Sequence, residues 1–274
     1  MIIRLIYLCL LLPVFALNAA PLDDLQAFRT HYQQRFPQLI LEDYADGLYA
    51  IDSISRQSWL EIELFPPYEF AIEAGKLLFE TPLKEGVYYA DCFKNKGLGI
   101  AHLYPLWSEK QGEVITLAKA INDCRVHYQL PKLAYQKGEI TQLLAYMAYT
   151  SRGKKINITI PDKPKALAAY EQGKAYYYQR RGQLNFSCAL CHVTYAGQHI
   201  RSEVLSPALG HTSGWPTYRL KWGEMGTLHR RFIECHQQIR ATAPEAQSIE
   251  LRNLDYFLTF MGQGVPINAP STRR

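Results

Sequence analysis

Thr116-Leu117-Ala118-Lys119-Ala120-Ile121-Asn122-Asp123-Cys124 lines up without a gap on Thr227-Leu228-His229-Arg230-Arg231-Phe232-Ile233-Glu234-Cys235. Upstream, Ala74-Gly75-Lys76-Leu77-Leu78-Phe79 precedes Asp91-Cys92 much as Gln172-Gly173-Lys174-Ala175-Tyr176-Tyr177 precedes Ser187-Cys188. Tyr104-Pro105-Leu106-Trp107 matches Trp215-Pro216-Thr217-Tyr218, and each half closes on an apolar helix, Ile140 to Tyr149 and Leu251 to Met261. A chain built this way is a duplicated domain, so one fold must account for both halves.

The second copy says which fold. Cys188-Ala189-Leu190-Cys191-His192 has the C-x-x-C-H spacing of a c-type haem attachment site. Two thiols reach the two vinyl groups of one porphyrin, and the adjoining imidazole meets the iron from the proximal side. A zinc or redox C-x-x-C with an incidental histidine is the competing use of such a run, and zinc has a further demand. It requires a second ligand cluster at similar spacing, and the chain holds no second C-x-x-C.

Apolar residues at three-to-four spacing predict helices at 68–79, 116–128, 139–151, 165–179, 227–240 and 249–260. The expected architecture is mainly α: two tandem cytochrome c-like domains, the first without haem. The break from Gly153 to Pro164 reads as the linker, with 155–160 a candidate extended piece. The expected boundaries are a signal peptide at 1–20, an N-terminal extension at 21–62, a haem-less domain at 63–160 and a haem-binding domain at 161–274.

The signal reading rests on Arg4, the short apolar run Leu5–Leu17 and the small residues Ala19 and Ala20. The alternative is a retained anchor, for which the apolar run is short. Export to the periplasm agrees with covalent haem attachment. A net charge of +5, with no basic run interleaved with aromatics, excludes a nucleic-acid partner.

In the first copy Cys92 matches Cys188, while Lys94, Asn95 and Lys96 stand where the second cysteine and the histidine belong. That copy has lost its attachment site, so one covalent haem c is expected. Cys92 and Cys124 remain there, and in an oxidising compartment a disulfide across the emptied site is their natural use; two buried free thiols are the alternative. Cys235 is then the odd cysteine. It is a candidate sixth iron ligand, as are Met225, Met261, His211 and His229, and spacing does not choose among the five. Arg231 stands one helical turn before Cys235 and shares its face. A guanidinium stabilises a neighbouring thiolate and binds oxyanions through a planar fork. Arg230, Arg240 and Lys221 add to the field or form a solvated basic face.

Further marks are Thr81-Pro82-Leu83, Tyr88 to Cys92 and Asn122 to Arg125 in the first half. In the second they are Asn185 to His192, Tyr218-Arg219-Leu220 and Arg230 to Cys235. In this combination the chain resembles the SoxA family, the catalytic subunits of the SoxAX cytochromes of thiosulfate oxidation. The resemblance implies a heterodimer with a SoxX-like cytochrome c and oxidative conjugation of thiosulfate to a cysteine of a SoxYZ-like sulfur carrier. It implies His192 as proximal ligand, Cys235 as distal ligand and persulfide-forming sulfur, and Arg231 as the substrate-binding arginine. The competing expectation is a plain electron-transfer cytochrome with Met225 or Met261 on iron.

Overall fold

The computed structural model describes residues 21–273; the signal read at 1–20 lies outside the described residues. Its helices are α1 (Pro21–Arg35), α2 (Ser53–Ile62), α3 (Glu69–Glu80), α4 (Leu117–His127), α5 (Glu139–Tyr149), α6 (Pro164–Tyr178), α7 (Leu228–Gln238) and α8 (Ile249–Met261). Short strands join them: β1 (Leu106–Ser108) pairs with β2 (Glu113–Ile115), β3 (His199–Ile200) with β4 (Glu203–Val204), and β5 (Thr217–Arg219) with β6 (Glu224–Gly226). The tail β7 (Ser271–Arg273) adds to β5 in parallel. The fold is mainly α and built from two cytochrome c-like domains.

Duplication is visible atom by atom. α3 crosses α5 where a Cβ on Gly75 would lie 1.9 Å from the Gln142 carbonyl oxygen; α6 crosses α8 where one on Gly173 would lie 2.0 Å from that of Asn253. Only glycine lets backbones approach so closely. Each crossing is followed by a hairpin, β1–β2 or β5–β6, and then by a helix capped in the same way. Thr116 Oγ1 accepts from Lys119 N, and Thr227 Oγ1 from Arg230 N, each satisfying an orphan donor of the first turn. Between the domains lies a cavity lined by equivalent residues of both, Tyr104 with Trp215, Pro105 with Pro216, Thr116 with Thr227 and Ile156 with Ile267.

The first domain is closed. Cys92 and Cys124 are joined by a disulfide with Cα atoms 5.8 Å apart. Phe79, Tyr89, Ile121, Ile140, Leu143 and Met147 form the core around it. Where the second domain carries Cys191 and His192, the first makes a tight turn at Lys94–Gly97 with Asn95 and Lys96 in left-handed conformation.

Residues 21–62 do more than extend the chain. Leu25, Phe28, Tyr32, Tyr44 and Ala45 are buried in the core of the second domain. α2 begins at Asp52, whose carboxylate caps Ile54 N and Ser55 N, and Trp59 stacks on Tyr49 at 4.8 Å. The segment read as a linker is also packed: Ile156 and Ile158 are buried, and Ile156 N donates to Val265 O in the C-terminal tail.

Candidate haem site

Ser187 opens the motif, its Oγ accepting from Leu190 N at 3.0 Å. The chain then winds through a single wide turn, Leu190–Thr194, which carries Cys191 and His192. Cys188 and Cys191 are free thiols. Burial, then the proximity of Cys235, pushes the Cys188 thiol up to about 12.

His192 Nδ1 lies 2.9 Å from the Ser206 carbonyl. A carbonyl only accepts, so Nδ1 carries the proton and the Nε2 lone pair is left for a metal, the arrangement of metal-bound histidines generally. Burial brings the His192 pKa down to about 4, so the ring is neutral. The main-chain oxygen of His192 accepts from the Tyr32 hydroxyl and from Ala208 N.

The five candidate sixth ligands lie in different surroundings. The ring of His211 sits 4.4 Å from that of His192, at 76°, with Nε2 against Ser206 Oγ at 2.8 Å. Two imidazoles in contact leave no room for an iron between them. His229 faces the interdomain cavity: its Nδ1 accepts from Gln247 N at 3.0 Å and its Nε2 lies 3.5 Å from Asp255 Oδ2. Met225 is buried against Tyr68, Ala71 and Ala145 of the first domain. Met261 lines a groove with Phe28, Val193 and Phe257. Cys235 is a free, half-buried thiol on α7, at the position whose counterpart, Cys124, meets Cys92 in the first domain.

Beside Cys235 stands a cluster of charges. Arg231 Nη1 donates to Glu234 Oε2 at 2.7 Å, Arg219 Nη1 to the same oxygen at 3.0 Å, and Lys221 Nζ to Oε1 at 2.7 Å. Burial alone would raise the Glu234 pKa, but the bond from Lys221 and the charges of Arg231 and Arg219 take it down to about 2. Burial acts against the charge on Arg231 too, and is outweighed by Cys235 and Glu234. Arg219, also buried, is repelled by Arg231 and falls to about 10. The two arginines shift in opposite directions because Cys235 and Glu234 act most strongly on Arg231.

The other basic candidates lie elsewhere. Arg230 pairs with Glu224 at 3.0 Å and covers the Trp222 ring at 4.2 Å, while Arg240 reaches Gln183. Arg219 and Glu234 carry no role in the sequence reading. The spacing of Glu234 three residues after Arg231 is a helix-surface signal; Arg219 arrives through the β5–β6 hairpin, for which the chain offers no local sign.

The donor set suits haem c. The motif supplies two unpaired thiols and an imidazole whose Nδ1 is bonded to Ser206 O; among the described residues no three or more His, Cys, Asp or Glu side chains are grouped to hold a metal ion. The Tyr177 hydroxyl, close to both motif cysteines, is buried with no hydrogen-bond partner.

Comparison with known proteins agrees. The chain is 50% identical over 96% of its length to the L-cysteine S-thiosulfotransferase subunit SoxA of Allochromatium vinosum, spanning 94% of that protein. The chain belongs to the SoxA family. It is 46% identical over 92% of its length to the subunit of the same name from Chlorobaculum tepidum, covering 87% of it. The crystal structure of SoxXA from P. pantotrophus superposes with a TM-score of 0.72 at 28% identity, covering 80% of this chain and 84% of that one. The family model for the SoxA/TsdA cytochrome c domain matches residues 74–156, which is the domain without the haem motif.

Proposed function

We propose that this SoxA family member is an exported haem c protein of the periplasm that conjugates thiosulfate oxidatively to a cysteine of a SoxYZ-like carrier, in complex with a SoxX-like cytochrome c. The chemistry is the joining of two sulfurs: a carrier thiolate and thiosulfate form one sulfur–sulfur bond and release two electrons. Bound haem would supply one-electron chemistry, a route for those electrons toward the partner cytochrome. One covalent haem is held, through Cys188 and Cys191, because the first domain lacks the second cysteine and the histidine. His192 and Cys235 would be the protein ligands of its iron, and Cys235 would also be the sulfur-bearing group. Arg231, within reach of Cys235, holds the anionic substrate and stabilises the thiolate. No helix among the described residues is long and apolar enough to cross a membrane.

The observation that carries this reading is the placing of Cys235 on α7, one helical turn after Arg231 and at the position whose counterpart, Cys124, meets Cys92 in the first domain. Cys235→Ala tests it. The variant is expected to keep covalent haem, to lose the thiolate signature of the ferric spectrum, and to lose thiosulfate conjugation together with it. A variant that conjugates thiosulfate at the wild-type rate refutes the assignment. An intact mass showing two haems refutes the stoichiometry.

A further inference from the structure

α1 lies outside both repeats, yet its side chains reach the loop that follows the haem motif. His31 Nε2 lies 3.4 Å from Val193 O, and Arg35 forks onto Ala196 O at 2.6 and 2.9 Å. Between them Tyr32, fully buried, uses its hydroxyl twice: it donates to His192 O and accepts from Ala208 N at 3.0 Å. Its ring meets Phe28 and Tyr44 edge to face at 5.0 and 5.9 Å, and the Tyr44 hydroxyl donates to Tyr32 O at 3.2 Å.

His192 and Ala208 bracket a loop, and Ser206 lies just inside its far end. The carbonyl that orients the His192 ring therefore hangs from a segment whose closure Tyr32 holds. Ala208 N also reaches His192 O directly, at 3.2 Å, so the hydroxyl tightens an existing junction.

We propose that Tyr32 is a positioning residue for the proximal ligand, tying His192 to Ala208 so that the Ser206 carbonyl stays against His192 Nδ1. This rests on the assignment of His192 to the iron. A histidine that donates its second ring proton to a fixed acceptor is the more basic ligand. Stronger donation favours the ferric state, so the hydroxyl of an N-terminal helix contributes to setting the reduction potential.

Tyr32→Phe keeps the ring and its packing and removes the two hydroxyl bonds. In the purified holoprotein it is expected to retain covalent haem and the distal-ligand signature of the ferric spectrum, and to shift the midpoint potential to more positive values. Phe28→Leu is the packing control. It loosens the same helix with both hydroxyl bonds intact, and is expected to lower the melting temperature with the potential unmoved. An unchanged potential in Tyr32→Phe overturns the proposal, as does an equal shift in Phe28→Leu. A wild-type spectrum without histidine ligation instead refutes the ligand assignment, which separates the two failures.

Discussion

Replacing Arg231 with alanine isolates substrate binding from haem ligation. Arg231 sits one turn before Cys235 on α7 and is held by Glu234 at 2.7 Å. Removing it leaves Glu234 with two cationic partners, Arg219 and Lys221, so the carboxylate is not stranded and the fold should persist. What disappears is a charge-assisted donor to the substrate anion, worth about 1.5–3 kcal/mol. With about 1.4 kcal/mol per decade, kcat/KM for thiosulfate conjugation falls roughly ten- to a hundredfold. Steady-state conjugation to the carrier, with the partner cytochrome as electron acceptor, measures the loss. The ferric spectrum, unchanged, shows Cys235 still in place. Arg231→Lys recovers part of the rate, since a point charge cannot reproduce a planar fork. Wild-type kcat/KM in Arg231→Ala refutes the role, and complete recovery in Arg231→Lys refutes the fork.

Gly173→Ala drives a methyl group into the Asn253 carbonyl; overpacking of this kind costs about 1–3 kcal/mol, and calorimetry should show the melting temperature of the holoprotein fall by about 2–4 °C for each kcal/mol. Gly75→Ala makes the same collision with Gln142 in the first domain and should destabilise while leaving the haem spectrum intact. Removing the disulfide with Cys92→Ala and Cys124→Ala together frees a loop with a sequence separation of 32; denaturant melts should show a loss of about 3–4 kcal/mol, with haem content unchanged. Glu234 has its pKa lowered from 4.5 to about 2, so its stabilisation is complete above the ordinary carboxylate value and is lost as pH falls toward 2; Glu234→Gln should flatten the melting temperature against pH over that window, and an unaltered profile refutes the charge cluster.

Much of this was legible in the sequence because it is local. The six helices of the repeats fall within two residues of the ends that apolar spacing predicts, and in the structure Thr116, Thr227 and Ser248 cap three of them. The hairpins escape detection, since strands of two or three residues offer too little alternation to count. The packed stretch around Ile156 and Ile158 is masked by Gly153, Pro161 and Pro164, which mark a break more strongly than two buried isoleucines mark a core. α1 lacks a signal for a different reason. Leu25, Phe28 and Tyr32 are spaced for a helix, but what they bury against, the haem loop far along the chain, is set only by the fold. The same division runs through the site. Arg231 and Cys235 share a helix face and can be paired by counting, whereas Arg219 and Lys221 reach Glu234 only through the β5–β6 hairpin.

The fate of one position links the duplicated fold to the proposed chemistry. Cys124 and Cys235 occupy equivalent sites on equivalent helices, α4 and α7. Cys92 and Cys188 are equivalent too, and in the first domain that pair is a disulfide. The second domain keeps both sulfurs, at the equivalent positions and unpaired. The framework therefore disposes the two cysteines to pair, and an oxidising compartment favours such a bond. On the proposed reading, a thioether at Cys188 removes the partner that Cys124 found in the other copy, and Cys235 stays a thiolate. On the same reading, a first domain without the haem motif leaves Cys92 to close the core, and the motif kept in the second preserves a free sulfur beside Arg231.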